Sequence, residues 1–92
     1  MIKIKFYSLI RLHLGINEIQ IEADKISIYD LLQIAEKQLD KLLLHLLINA
    51  DYEIIPGTMI LINGRNIFHL KKLDTIVQDG DVVSIFPPGG GG

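Results

Sequence analysis

Val82-Val83-Ser84-Ile85-Phe86-Pro87-Pro88-Gly89-Gly90-Gly91-Gly92 reads as a strand that runs straight into an extended tail. β-Branched and aromatic residues suit the strand. Pro87 and Pro88 lack backbone N–H donors and fix φ, so they stop the ladder and send the chain outward. Glycine carries no Cβ, so Gly89 to Gly92 can enter a slot too narrow for any other residue. From Pro87 to Gly92 the tail reaches roughly 20 Å at about 3.3–3.6 Å per residue. Taken alone, such a tail is either a frayed or appended end or the working part of the molecule. The rest of the chain decides between them.

Immediately upstream, Asp79-Gly80-Asp81 is a turn, and it is too short for a calcium loop. Before it, Met59-Ile60-Leu61-Ile62, then Asn63-Gly64, then Asn66-Ile67-Phe68 form the strongest local signal. Asn-Gly supplies the positive φ angles of a tight hairpin turn between two short strands. Leu70 to Thr75 reads as a turn or a single 3₁₀ turn. At the other end of the chain, Ile2 to Ile10 alternate. Ile2, Ile4, Phe6, Ser8 and Ile10 share one face, and Lys3, Lys5, Tyr7 and Leu9 share the other, which predicts one half-buried strand. Gly15-Ile16-Asn17 turns the chain. Glu18 to Ala23 alternate again, making a hairpin with Ile19 and Ile21 inward.

Ser27 opens a helix as its N-cap, with Asp30 in the place of a capping-box partner. Ile28, Leu31, Leu32, Ala35 and Leu39 then fall at helical spacing. Lys41 to Ile48 is apolar almost throughout and reads as a second short helix or a continuation of the first. Asn49 to Tyr52 reads as a loop ending near Pro56-Gly57. The order is strand, strand, helix, strand, short strand, strand. One helix across one face of a mixed sheet is the economical packing. First and last strands lying side by side in the centre of that sheet would be parallel. The expectation is an α+β fold of the β-grasp, ubiquitin-like kind, with a four- to five-stranded sheet over residues 1–86 and an extended tail over 87–92.

The chain has 92 residues, enough for one domain with one core. A net charge of −2 without basic runs argues against nucleic acid as a partner. There is no cysteine, which excludes disulfides, thiolate nucleophiles and cysteine-bound zinc within this chain. The longest apolar stretch, Leu42 to Ala50, is interrupted by His45 and falls far short of the ~20 residues of a membrane span. The N-terminus interleaves lysine with apolar residues, unlike a signal peptide. A cytoplasmic protein with no membrane partner is expected. His13, His45 and His69 are far apart, and His45 reads as a partly buried structural histidine. No catalytic triad, carboxylate pair or phosphate-cradling loop can be assembled. That absence leaves the terminal carboxylate, a poor electrophile until it is activated as a mixed anhydride with AMP.

At three places the chain resembles the MoaD/ThiS family of ubiquitin-like sulfur carriers. They are Phe6-Tyr7-Ser8-Leu9-Ile10-Arg11-Leu12 with Gly15; Leu61-Ile62-Asn63-Gly64-Arg65-Asn66-Ile67 with His69-Leu70 and Leu73-Asp74-Thr75; and Asp79 to Pro88 with Gly91-Gly92. Family members usually carry a bulkier residue where this chain has Gly89-Gly90. The resemblance implies a carrier rather than an enzyme, with no bound cofactor. An adenylating enzyme of the ubiquitin-activating type would use ATP on the Gly92 carboxylate. A sulfurtransferase system would then convert it to a thiocarboxylate. The sulfur would pass to an acceptor, for the MoaD branch within molybdopterin synthase, making the synthase large subunit a partner. The Asp79–Pro88 ending and the Asn63-Gly64-Arg65 hairpin resemble the MoaD branch more than the thiazole-forming ThiS branch. A modifier joined to lysines of other proteins is the alternative, as is a carrier for thiazole or another sulfur pathway. Strand parity places Tyr7 and Phe86 on the open sheet face beside the tail, as a partner-docking patch, with Arg11 on the parity of Tyr7 as a charged contact.

Overall fold

The structure is a computed structural model describing residues 1–88. Strand β1 (Ile2–Phe6) buries Ile2, Ile4 and Phe6 and leaves Lys3 and Lys5 half-buried on the opposite face. The predicted alternation holds that far and no further. Helix α1 (Ser8–Leu14) takes over directly after Tyr7, so the single strand expected over Ile2–Ile10 is a strand followed by a helix. Ile10 and Leu14 are the buried residues of α1, four apart and therefore stacked on one helix face. Gly15 closes the helix at φ 71°, donating its N–H to the Arg11 carbonyl at 2.9 Å. The Lys41 ammonium donates to the Leu14 carbonyl at 3.1 Å, a cation at the negative end of α1.

Strand β2 (Glu18–Ile21) returns antiparallel to β1, with Ile4 opposite Ile19 and Ile2 opposite Ile21. The hairpin is present, but α1 forms its connection. Strand β3 (Lys25–Ser27) leads into helix α2 (Ile28–Leu39), whose Ile28, Leu31, Leu32 and Ala35 are buried as the helical spacing predicts. The Ser27 hydroxyl accepts from the Asp30 amide at 3.1 Å, the forward half of the expected capping box. Asp40, at φ 54°, ends α2 in the left-handed region, and α3 (Leu44–Leu47) is a separate single turn. Glu36 joins the two helices, its Oε1 accepting from the amides of Leu43 at 2.8 Å and Leu44 at 3.1 Å. Leu43 and Leu47 are buried, whereas His45 is exposed, which corrects its reading as a partly buried structural histidine.

Strands β4 (Met59–Ile62) and β5 (Arg65–Asn66) flank Asn63 at φ 50° and Gly64 at φ 87°, the expected tight turn. β5 is shorter than the sequence predicts, because Ile67–His69 forms a 3₁₀ turn capped by the Asn66 side chain, which accepts from the Phe68 amide at 3.0 Å. A second 3₁₀ turn, Lys72–Asp74, lies within the expected segment. Strand β6 (Ile76–Gln78) pairs antiparallel with β3 in a small second sheet that the sequence reading did not contain.

The last strand, β7 (Val82–Phe86), runs parallel to β1 and antiparallel to β4, giving the order β2-β1-β7-β4-β5. This is the expected β-grasp with its final strand in the middle. Ile4, Phe6, Ile60, Ile62, Val83 and Ile85 bury one face of the sheet in the same core as the apolar face of α2.

Candidate functional site at the tail exit

Because β1 and β7 are parallel neighbours, both end on the same rim of the sheet. Tyr7 follows β1 and Phe86 completes β7. The Tyr7 amide donates to the Ile85 carbonyl at 3.1 Å, which extends the ladder beyond β1. Val83 and Ile85 have no exposed surface, so period two turns Val82, Ser84 and Phe86 to the open face. The rings of Tyr7 and Phe86 stack there, 4.5 Å between centroids and 9° between planes. Both side chains are half-buried, each covered in part by the other.

Two further apolar residues belong to this face. Met59 lies opposite Phe86 and is 42% exposed, and Leu61 lies opposite Ser84 and is half-buried. Sequence reasoning placed both in a strand but assigned neither to the docking patch. Their signal was available in the hairpin parity, since an inward Ile60 and Ile62 require an outward Met59 and Leu61. On the far side of Tyr7 the face becomes charged, with Lys3 and Lys5 on β1 and a 3.7 Å ion pair between Lys3 and Glu18.

Arg11 is exposed, but on α1 rather than on a strand, so the parity that grouped it with Tyr7 does not apply. The physical reason is the helical turn begun at Ser8, where residues four apart share a face and residues two apart do not. Tyr7 is the N-cap residue of α1, so Arg11 stands one turn along the helix that Tyr7 begins.

The base of β7 is fixed by side chains from both flanking turns. Asn63 Oδ1 accepts from the Val82 amide at 2.9 Å, and Asn63 Nδ2 donates to Asp81 Oδ1 at 2.9 Å. The other Asp81 oxygen accepts from the Gln78 amide at 2.8 Å. Asn63-Gly64 and Asp79-Gly80-Asp81 thus lock the register of the strand that carries the tail. Asp79 also pairs with the N-terminal ammonium of Met1, which holds its carboxyl below the usual carboxylate range by hydrogen bonding and charge.

Pro87 and Pro88 are half-buried at the exit. Gly89, Gly90, Gly91 and Gly92, which the sequence reading placed at the reacting end, lie outside the described residues. Among the described residues no group of three or more His, Cys, Asp and Glu side chains is placed to hold a metal ion. No described helix is long and apolar enough to cross a membrane.

A family model described as the ThiS family matches residues 4–92. A protein of Archaeoglobus fulgidus assigned as a sulfur carrier is 37% identical over 89 residues, covering 90% of this chain and 96% of its own. Small archaeal modifier protein 3 of Haloferax volcanii is 39% identical over 69 residues, covering 75% of this chain and 73% of its own. The solved structure of a Pyrococcus furiosus protein assigned as subunit 1 of the molybdopterin converting factor superposes with a TM-score of 0.67 at 26% identity, covering 96% of this chain and 97% of its own.

Proposed function

The chain belongs to the ThiS family, and from that premise we propose that it carries sulfur as a thiocarboxylate on Gly92 for the synthesis of molybdopterin. Its relatives are described as a sulfur carrier and a modifier, not as catalysts. The chemistry is therefore done on this chain by others. An adenylating enzyme joins the Gly92 carboxylate to the α-phosphate of ATP and releases pyrophosphate. A sulfur nucleophile supplied by a sulfurtransferase then attacks the carbonyl carbon and expels AMP. The acceptor finally forms a bond to the sulfur, and water cleaves the acyl–sulfur bond, leaving the sulfur on the acceptor and returning the Gly92 carboxylate.

The observation that carries this reading is the pairing of a rigid anchor with a docking pad. β7 is hydrogen-bonded on both sides and ends at Phe86, so the tail leaves from a fixed point. Beside that point, Tyr7, Phe86, Met59 and Leu61 form an apolar pad of the aromatic-rich kind that anchors interfaces. The partner binds the pad and receives the tail in one geometry. Arg11 adds a contact to an acidic partner surface from α1. The likeness to the converting-factor subunit favours the molybdopterin branch. The likeness to small archaeal modifier protein 3 supports a second use, conjugation of Gly92 to lysine amines through the same adenylate.

The test is activation of a chain lacking all four terminal glycines, Gly89 to Gly92. The expected outcome is loss of ATP–pyrophosphate exchange with the adenylating enzyme while the amide spectrum of residues 1–86 is retained. Support of molybdopterin synthesis by the truncated chain would refute the carrier role.

A further inference from the structure

Away from the tail exit, the start of α2, the loop around Tyr52 and the two 3₁₀ turns enclose an open groove of about 650 Å³. Three aromatic rings reach it from three different segments. Tyr29 meets Tyr52 edge to face at 5.3 Å, and Phe68 stands 51% exposed across from them. Tyr52 is 66% exposed. Such exposure of rings that each bury ~150–250 Å² when packed gives the fold little.

Both walls are held in place. Asn49 Oδ1 accepts from the amides of Asp51 at 2.9 Å and Glu53 at 3.0 Å, which fixes the loop carrying Tyr52. Thr75 Oγ1 accepts from the Lys71 amide at 3.0 Å on the other side. Tyr52 and Lys72 adopt φ of 60° and 51°, in the left-handed region. Asn63 and Asp40 tolerate that region and serve a turn and a helix end, and Ser8, at φ 58°, opens a helix away from the groove, but Tyr and Lys have no such preference. Strained backbone at two residues lining one groove is a mark of sites under functional constraint.

The groove already holds a cation. Lys72 Nζ lies 5.1 Å from the centroid of the Phe68 ring, over its face. Asp30, Glu53 and Asp74 line the groove with three carboxylates against the two ammonium groups of Lys71 and Lys72. Once Lys72 swings out, what remains is three aromatic rings and three carboxylates against the single ammonium of Lys71. A planar guanidinium fits both, stacking on the rings and hydrogen-bonding to the carboxylates. We infer that this groove binds an arginine-bearing basic segment of a partner protein, with Lys72 acting as a built-in competitor that the incoming guanidinium displaces from Phe68. None of these residues belongs to the Tyr7–Phe86 pad, so the inference stands apart from the tail chemistry.

The test is an amide chemical-shift titration of the full chain with a blocked Ala-Arg-Ala-Arg-Ala peptide, its Glu-for-Arg counterpart and inorganic phosphate. The arginine peptide is expected to shift Tyr29, Glu53, Phe68 and Lys72 saturably, and the glutamate peptide and phosphate are expected to leave them in place. Phe68→Ala is expected to weaken binding about threefold, the scale of one exposed cation–π contact. Lys72→Asn removes the competing charge and suits the left-handed backbone, so it is expected to tighten binding by a similar factor. A merely structural Lys72 would give no tightening. Shifts spread evenly over exposed acids such as Glu22 and Asp24, tighter response to phosphate than to the arginine peptide, or weaker binding by Lys72→Asn would each overturn the inference.

Discussion

The rings of Tyr7 and Phe86 lie face to face, 4.5 Å apart, across the two parallel strands whose ends frame the tail exit. Each ring holds the other against the open sheet face. A stacked aromatic pair is worth ~0.5–1.5 kcal/mol beyond its buried area. A double-mutant cycle of Tyr7→Ala and Phe86→Ala, followed by urea unfolding, is expected to return a coupling in that range. The same single substitutions are expected to weaken binding to the adenylating enzyme about tenfold, as loss of an aromatic anchor typically does. Strictly additive unfolding energies would show that the stack contributes nothing, and unchanged partner affinity would remove the pad from the docking account.

Asn63 is expected to be the most sensitive surface position of the hairpin. It holds φ 50° and makes side-chain hydrogen bonds to both Asp81 and Val82. Asn63→Ala loses two hydrogen bonds and keeps the strained φ, a cost of about 3 kcal/mol in unfolding free energy. Asn63→Gly relieves the backbone and loses only the bonds, so about 1–2 kcal/mol is expected. Equal costs for the two would mean that backbone strain plays no part.

Glu36 is expected to matter more than its place on a helix surface suggests. Its carboxylate satisfies two amides at the turn from α2 into α3. Glu36→Ala leaves both without that acceptor, a loss of about 2 kcal/mol, whereas Glu36→Gln keeps one neutral acceptor and retains about half of it. Thermal unfolding of the two variants distinguishes this from a simple propensity effect, which would leave them nearly alike.

The Met1–Asp79 pair gives a pH dependence. Asp79 has its carboxyl lowered from 3.8 by the hydrogen bond and charge of the N-terminal ammonium. A depressed carboxylate stabilises the fold fully above its unfolded value, and that contribution is lost as pH falls through the lower folded value. The pair is exposed, so the effect is small and screened by salt. Asp79→Asn is expected to lower stability slightly near pH 7 and to flatten the acid limb below pH ~4, where the variant and the parent chain converge. An unchanged acid limb in that variant would rule the pair out as its source.

Most of the fold was legible because its strong signals agree with one another. The period of two in β1, Asn63-Gly64 and the apolar spacing of α2 each state a local structure, and the β-grasp arrangement satisfies them together. The shared open face of Tyr7 and Phe86 was legible for the same reason, since inward Val83 and Ile85 fix the side of Phe86, whereas the stacking of their rings was not read. Helix α1 was not, because Ile10 extends an alternating pattern as readily as it begins a helical one with Leu14. That ambiguity placed Arg11 on the wrong kind of element. β3 and β6 have three residues each, and Val77 is the one buried residue of β6, too little to register as a period. The exposed His45 shows that an apolar run need not bury every member once the chain turns through it.

The central claim is that Gly92 carries the sulfur, and intact-mass analysis of the chain from its native cells tests it most directly. The account predicts a species heavier by about 16 Da, sulfur replacing oxygen, with the added mass confined to the C-terminal peptide ending in Gly91-Gly92. Under conditions where molybdopterin is being made, a chain found only at its unmodified mass, or one whose extra mass lies elsewhere, would contradict it.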